Sequence, residues 1–275
     1  MNVWAIANQK GGVGKTTTTV SLAGLLVELG FRTLVVDIDP HGSMTSYFGM
    51  DPESPGESVY SLFKAASEGR MPDPGRAVHP TYHPLLGLMP ASTALATLDR
   101  QLGGRDGMGL VLTRSFARLA SRYDYVLIDC PPMLGVSMVN ALAAANFLII
   151  PVQTEFLALK GLERMLRTLG MVQRSRHSRL DHVILPTMYD RRTRAAQEAL
   201  DTLNARYADK VAPTLIPVDT QFREASKIGR PLSAVVPESR GAVAYREFLD
   251  WLADYLERAH AASGVVAQHA GGGVA

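Results

Sequence analysis

The 275-residue sequence contains one cysteine, Cys130, and lacks any apolar run long enough to span a bilayer. A single cysteine excludes an internal disulfide framework and fits a reducing compartment. The apolar run at residues 147–152 has the size of a strand, far below the roughly 20 residues that a membrane helix needs. No charged segment followed by an apolar core, the pattern of a secretory signal, is present near Met1. We therefore expect a cytoplasmic protein that does not attach to a membrane.

Net charge is also small, because 28 Lys and Arg residues oppose 26 Asp and Glu residues. The chain as a whole is therefore not a polycation. The charge is nevertheless uneven, and one segment with few acids carries eight arginines: Arg164, Arg167, Arg174, Arg176, Arg179, Arg191, Arg192 and Arg194. This cluster is either a face that binds DNA weakly and without sequence preference, or ordinary solvated charge.

Short apolar runs alternate with helical segments along the chain, a pattern typical of βαβ units. It predicts strands at 3–7, 33–37, 86–89, 125–129, 147–152, 182–186 and 214–217, and helices at 16–29, from 92, and at 140–145, 157–174 and 241–260. Residues 50–84, rich in Pro, Gly and Ser, are expected to form a loop-like excursion with one short helix at 59–63. We expect an α/β fold, a single doubly wound domain over residues 1–260 with a mainly parallel central sheet flanked by helices. The Gly-rich tail at 261–275 is expected to be disordered.

A glycine-rich segment at residues 8–17, NQKGGVGKTT, joins the first predicted strand to the first predicted helix. Backbone N–H groups of such a loop, with the N-terminus of the helix, form a phosphate site. Lys15 would reach the β- and γ-phosphates, and the Thr16 hydroxyl would ligate Mg²⁺. The segment predicts a P-loop that binds ATP and Mg²⁺ through Lys10, Gly11, Gly12, Val13, Gly14, Lys15, Thr16 and Thr17. A glycine turn with two incidental lysines is the alternative, against which the strand–loop–helix context argues.

Three aspartates end predicted strands or follow them directly. Asp37 and Asp39 belong to the segment DIDPHG at 37–42, and Asp129 ends the apolar run at 125–129. Ligands of open parallel sheets bind at the carboxyl ends of the strands, where carboxylates can hold Mg²⁺ or orient an attacking water. A helix cap or an Asp-Pro turn is the alternative for each.

The loop residues 10–16, KGGVGKT, resemble the deviant Walker A motif KGGxGK[ST] of the ParA/MinD family of ATPases. The resemblance extends over nearly the whole chain, from about residue 3 to about residue 256. It implies an ATP-sandwich homodimer in which Lys10 crosses the interface and touches the partner's phosphates. The strict P-loop pattern has glycine at position 9, where this chain has Gln9.

The aspartate segments also resemble motifs of that family. DIDPHG is similar to DxDPQG, which implies that Asp39 positions or activates the hydrolytic water and that Asp37 lies near the metal. Asp129, in IDCPP, resembles a Walker B aspartate and would coordinate Mg²⁺ through water. The resemblance thus implies catalytic roles for Lys10, Lys15 and Asp39, and a metal site at Thr16, Asp37 and Asp129. His41 stands where the family usually has glutamine, so no role is carried over to it.

Adenine contacts follow from resemblance alone. The segment MYDRRT at 188–193 is similar to the family's MYDxRT, and IPVD at 216–219 is similar to the loop that wraps the base. The implied contacts are Met188, Asp190, Pro217, Val218 and Asp219. Both segments are also ordinary strand-to-helix turns.

Three segments, at 39–49, 153–164 and 216–220, resemble the chemotaxis-associated branch of the family, often called ParC. Partition proteins typically show DPQGN and IPRN at the first and last of these. The resemblance implies that the cargo is a chemotaxis array and the partner an array-associated adaptor or histidine kinase. The alternative is a ParA/Soj ATPase for chromosome or plasmid partitioning, with a centromere-binding partner. Location at the nucleoid or the pole would follow from the cargo.

Two further classes are disfavoured. A MinD-type membrane regulator needs a basic amphipathic C-terminal helix, but the last predicted helix carries four acids: Glu247, Asp250, Asp254 and Glu257. A metabolic P-loop enzyme, such as a synthetase or kinase, needs a second-substrate pocket, and no further Cys, Lys or His constellation marks one. The surfaces expected to read the cargo are the excursion at 50–84 and the exposed side of the helix at 157–174.

Overall fold

The computed structural model of the chain describes residues 1–102, 107–176 and 178–270. Its strands are β1 Asn2–Ile6, β2 Thr33–Asp37, β3 His79–Pro80, β4 Leu86–Met89, β5 Tyr125–Asp129, β6 Phe147–Gln153 and β7 Asp181–Thr187. They form one sheet in the order β3-β4-β2-β5-β1-β6-β7. Every neighbouring pair is parallel except β3 with β4. The predicted mainly parallel sheet is confirmed.

Helices cover both faces of this sheet. They are α1 Lys15–Glu28, α2 Ser43–Tyr47, α3 Val59–Ser67, α4 Leu95–Leu102, α5 Val111–Leu119, α6 Val136–Ala144, α7 Phe156–Gln173, α8 Arg194–Tyr207, α9 Gln221–Ile228, α10 Leu232–Val235 and α11 Arg240–Ala270. Side chains alternate between the faces of a strand, so that Ala5 packs in one hydrophobic core and Trp4 and Ile6 pack in the other. The fold is therefore doubly wound.

The register of the sheet places the functional aspartates side by side. Asp37, the last residue of β2, lies opposite Asp129, the last residue of β5. Ile6, which ends β1, is the other neighbour of Asp129. The glycine-rich loop thus leaves the sheet at the edge where both carboxylates are located, as expected for a site at the carboxyl ends of parallel strands.

The excursion at 50–84 is more ordered than the sequence predicts. It contains α3, a 3₁₀ turn at Pro74–Ala77 and the short antiparallel β3. Leu62 and Phe63 are buried in the hydrophobic core, and Tyr60 is partly buried against it. Leu62 and Phe63 therefore pack inside the domain, and the excursion as a surface that reads cargo stays a prediction.

Two other predictions of local structure differ from the fold. The strand predicted at 214–217 is absent; this stretch contributes only an isolated bridge between Tyr189 and Pro217. Pro213 and Pro217 lack the N–H donors that a sheet ladder needs. The sequence also predicts a disordered tail from residue 261, whereas α11 continues through Ala270, and 271–275 lie outside the described residues. Within the described ranges, no helix has the length and apolar character needed to cross a membrane.

Candidate active site

The phosphate loop is shaped by two glycines with left-handed backbone. Gly12 and Gly14 have φ angles of 72° and 86°, which residues with a side chain rarely adopt. Gly14 is the N-cap of α1, and no side chain caps that helix end. The Thr187 hydroxyl donates to the Val13 carbonyl over 2.9 Å and fixes the loop against β7. The first turn of α1 therefore presents N–H groups suited to an anion.

A cavity of about 490 Å³ lies over this loop. It is lined by Gly11, Gly12, Gly14, Lys15, Thr16, Thr17, Asp39, His41, Ser43, Pro132 and Met188. Most of the predicted loop contacts and Asp39 are therefore brought together. Val13 is fully buried, so its side chain belongs to the core. His41, Ser43 and Pro132 were not predicted as site residues.

The two lysines of the loop occupy different places. Lys15 is buried, and its Nζ donates to the Lys10 carbonyl over 3.1 Å, across the same loop. Lys10 instead directs its Nζ to the Glu155 carboxylate, in an ion pair, and to Gln153 Oε1 at 3.3 Å. Lys15 is thus placed for a phosphate bound in its own chain, and the Lys10 ammonium is held outside the cavity.

Thr16 and Asp129 form a ligand set that suits Mg²⁺. The Thr16 hydroxyl donates to Asp129 Oδ2 over 2.6 Å. Asp129 Oδ1 is buried and has no hydrogen-bond partner within the described part of the chain. Burial, and then the neighbouring Asp37 carboxylate, raise the pKa of Asp129 well above its usual range. A hard cation would relieve this unpaired buried oxygen and, when bound, supplies positive charge to phosphate oxygens.

Asp37 holds the segment that carries Asp39. Its Oδ1 accepts from the Asp39 N–H at 3.1 Å, and its Oδ2 accepts from the Thr45 N–H at 2.8 Å and the Thr45 hydroxyl at 2.7 Å. Burial raises the pKa of Asp37 to about 6. The structure therefore gives Asp37 a positioning role, and its contact with a metal stays a prediction.

Asp39 reaches the phosphate cavity with a side chain that is 14% exposed. Its Oδ1 accepts from the His41 N–H at 3.0 Å and contacts His41 Nδ1 at 2.8 Å. An ionised carboxylate in this place can orient a water molecule near the γ-phosphate. The predicted catalytic role of Asp39 fits this geometry.

Helix α7 packs against the first half of the loop. Gln9 Nε2 donates to the buried Thr168 hydroxyl over 2.7 Å. A Cβ atom at Gly161 would lie 2.9 Å from Lys10 Cβ and 3.1 Å from Asn8 Oδ1, too close for a side chain. The sequence analysis did not predict this contact; the departure of Gln9 from the strict P-loop pattern is the feature that marks its position.

A second cavity, of about 500 Å³, lies next to Met188, which lines the phosphate cavity. The sequence predicts the adenine contacts in this region. It is lined by Tyr189, Asp190, Arg191, Arg192, Pro217, Val218, Thr220 and Arg240. The predicted Asp190, Pro217 and Val218 are therefore on its wall. Thr220 and Arg240 were not predicted as base contacts.

Two of the predicted adenine residues take other positions. Met188 lines the phosphate cavity and has a φ of 52°, unusual for a residue other than glycine. Asp219 accepts from the Gln221 N–H and the Gly241 N–H, each at 3.0 Å, and so caps the starts of α9 and α11. In Asp190, a side-chain hydrogen bond from Arg192 lowers the pKa to about 2. A base contact by Asp219 stays a prediction.

The arginine cluster divides into structural and surface members. Arg192 and Arg194 form ion pairs with nearby carboxylates at 2.7 and 2.6 Å. Arg164, Arg167 and Arg174 are exposed, at a spacing that places them on one face at α7. Arg176 donates to three main-chain carbonyls at the end of α6, those of Leu142, Ala143 and Ala145.

Comparison with known proteins agrees with this geometry. A family model described as an AAA domain matches residues 1–182. The sporulation initiation inhibitor protein Soj of Bacillus subtilis is 38% identical over 244 residues, which are 88% of this chain and 94% of that protein. The chromosome-partitioning ATPase Soj of Thermus thermophilus is 39% identical over 252 residues, 90% of this chain and 93% of that protein. The chain belongs to the ParA/Soj family of P-loop ATPases.

A solved structure of similar fold carries the nucleotide. The crystal structure of cobyrinic acid a,c-diamide synthase from Mycobacterium smegmatis, with an ATP analogue and magnesium, has a TM-score of 0.80 and 37% identity. The match covers 94% of this chain and 96% of that one. Together with the family, this confirms that the chain is an ATPase whose cofactors are ATP and Mg²⁺.

Proposed function

We propose that this chain dimerises when it binds ATP and uses the resulting cycle to position a cellular cargo. The observation that carries the proposal is the place of Lys10. Its ammonium lies outside the phosphate cavity of its own chain, with a side chain that is 22% exposed. Two ATP molecules facing each other across an interface repel, and a cation from each partner would offset that repulsion.

Hydrolysis would end the dimeric state. Lys15, Thr16 and Asp129 are placed to hold the nucleotide and its metal, and Asp39 is placed to orient the water. Loss of the γ-phosphate removes the charge that Lys10 of each partner contacts, so the dimer dissociates. The two states then differ in shape, and a partner can distinguish them.

Substitution of Asp39 tests this cycle. We expect Asp39→Ala to bind MgATP, to hydrolyse it at least about tenfold more slowly, and to accumulate as a dimer, because the water loses its orienting group. Light scattering with ATP and Mg²⁺ measures the dimer, with Asp201→Ala, an exposed aspartate of α8, as the matched control. An Asp39→Ala protein that binds ATP and remains monomeric would overturn the proposal.

The cargo favoured by the relatives is the chromosome. The Soj proteins that match nearly the whole chain include one named a chromosome-partitioning ATPase. In this reading the protein acts in the cytoplasm at the nucleoid, with a centromere-binding partner. Weak DNA binding by the dimer would be supplied by the exposed arginines Arg164, Arg167 and Arg174 at α7.

A second candidate cargo, the chemotaxis array, is favoured by two motif variants. His41 replaces the usual glutamine of DPQG, and Val218-Asp219 replaces the Arg-Asn of IPRN. The partner would then be an array-associated adaptor or histidine kinase, often at a cell pole. Deleting the gene separates the candidates: scattered chemoreceptor clusters with normal chromosome inheritance support the array, and anucleate cells with normal clusters support partitioning.

A biosynthetic role, the third possibility, predicts a different assay result. A synthase couples ATP to a second substrate, so ATP turnover would require that acceptor. We expect the purified chain to release phosphate from MgATP without any acceptor. Turnover that appears only when a carboxylate acceptor and an ammonia donor are added would favour the biosynthetic role.

A further inference from the structure

His41 is in contact with the carboxylate that we assign to hydrolysis. Its main-chain N–H and its ring Nδ1 both meet Oδ1 of Asp39, at 3.0 and 2.8 Å. No residue in the described ranges donates to Asp39 Oδ2. One oxygen of the carboxylate is therefore fixed by His41, and the other is left to accept from water.

A carboxylate accepts hydrogen bonds, so Nδ1 of His41 is the donor in this contact. The side chain is 79% exposed and lines the phosphate cavity, so water and ligand reach it.

The charged groups around Asp39 come from three other places. Asp37 ends β2, Asp129 ends β5, and Lys15 begins α1 on the wall of the same cavity. Asp37 and Asp129 both interact electrostatically with Asp39. Of the described titratable side chains, His41 is the one in hydrogen-bond contact with the Asp39 carboxylate.

We propose that His41 is a positioning residue for ATP hydrolysis, which holds Oδ1 of Asp39 so that Oδ2 accepts from the hydrolytic water. This inference rests on the proposed role of Asp39. The carboxylate acceptor makes this a charge-assisted hydrogen bond, which is stronger than one between neutral groups and so limits rotation of the Asp39 side chain.

The contact with Asp39 predicts which kinetic constant changes when His41 is replaced. Loss of the hydrogen bond is expected to lower kcat, because Asp39 orients the hydrolytic water less well, and to leave KM nearly unchanged. A glutamine at this position can donate the same hydrogen bond. The His41→Gln variant therefore keeps a high kcat.

The experiment compares steady-state MgATP hydrolysis by the full chain at pH 8. The variants are His41→Gln, His41→Ala and the control His79→Gln, whose ring contacts the Glu57 carbonyl at 2.7 Å and does not line the phosphate cavity. We expect His41→Ala to lose about tenfold in kcat at pH 8 with KM within twofold, as for a lost hydrogen bond to a charged group. The glutamine variant restores kcat, and His79→Gln follows the parent.

The outcomes separate this inference from the proposed function. A kcat of His41→Ala within twofold of the parent, or a His41→Gln variant as slow as His41→Ala, would overturn the role of His41. If Asp39→Ala hydrolyses ATP at the parental rate, the hydrolytic assignment itself fails. Thermal melts verify that the exposed His41 substitutions leave the fold intact.

Discussion

Lys10 and Glu155 form an ion pair within one chain, and the Lys10 ammonium also donates to Gln153 Oε1 at 3.3 Å. Glu155 is the N-cap residue of α7, so the pair ties the phosphate loop to that helix. A lysine that is to contact the phosphates of a partner chain has to leave this pair first. The Glu155 side chain is 41% exposed, so the pair is solvated and stabilises the monomer by about 1 kcal/mol at most.

The first prediction concerns this pair. We expect Glu155→Gln to lower the ATP concentration at which half of the protein is dimeric by about two- to fivefold, because Lys10 is released without loss of side-chain volume. Sedimentation velocity over an ATP titration measures the midpoint. Glu163→Gln, on the same helix, breaks an ion pair with Arg206 and is the matched control. A midpoint that is unchanged or higher would show that Glu155 does not restrain Lys10.

Removing the other loop lysine has a different effect. Lys15→Ala is expected to weaken MgATP binding by about 100-fold, because each lost charge-assisted hydrogen bond to phosphate contributes about 1.5 to 3 kcal/mol. Fluorescence titration with a labelled ATP analogue measures the dissociation constant. Lys160→Ala, at an exposed position of α7, serves as control. Parental affinity in Lys15→Ala would contradict the assignment of the P-loop lysine.

The buried Asp129 predicts a pH effect on stability. Its pKa is raised in the folded state, so the folded chain binds more protons than the unfolded chain above pH about 4. Stability therefore falls as pH rises from that value toward the raised pKa. Asp129→Asn keeps an acceptor for Thr16 and removes the buried charge. Without nucleotide, we expect the free energy of unfolding of this variant at pH 8 to be about 1 kcal/mol higher than that of the parent. We also expect it to change less with pH.

Urea denaturation at pH 5 and pH 8 in the absence of Mg²⁺ tests this expectation, with Asp201→Asn as the control for an exposed carboxylate. The same Asp129→Asn protein is expected to bind MgATP more weakly than the parent, since the metal loses a ligand. A variant that is less stable than the parent at pH 8 would mean that the Asp129 carboxylate is stabilised by contacts other than those described.

The arginine cluster predicts two separable phenotypes. Arg176→Ala is expected to lower the free energy of unfolding by about 2 kcal/mol, because three carbonyls at the end of α6 lose their donor. The double variant Arg167→Ala/Arg174→Ala is expected to unfold like the parent and to elute from DNA at lower salt in the presence of ATP. Urea denaturation and DNA-affinity chromatography over a salt gradient measure the two properties. Unchanged elution of the double variant would assign these arginines to ordinary solvated charge.

The strands could be predicted from the sequence better than the helices that cover them. The bounds of β2, β4 and β5 agree with the sequence prediction residue for residue, because strands buried on both faces are near-continuous apolar runs. Helix α9 was missed because only Ala225 of its eight residues is buried, too little to produce an apolar stripe. Helix α8 is similarly polar over most of its surface.

Site residues close together in sequence could be predicted, and distant contacts could not. Lys15 and Thr16 follow from the loop motif itself, since their roles depend on one strand–loop–helix turn. Lys10 and Glu155 are 145 residues apart, and their pairing depends on how α7 packs on the sheet. The capping role of Asp219 depends on where α11 begins, at Arg240, beyond the reach of a local motif.

The absence of a side chain at position 161 lets α7 lie directly against the start of the phosphate loop. A Cβ atom there would lie 2.9 Å from Lys10 Cβ and 3.1 Å from Asn8 Oδ1. Any residue larger than glycine would therefore have to displace either the helix or these two side chains. A substitution at this one helix position is thus a way to shift the loop lysine from outside the nucleotide cavity.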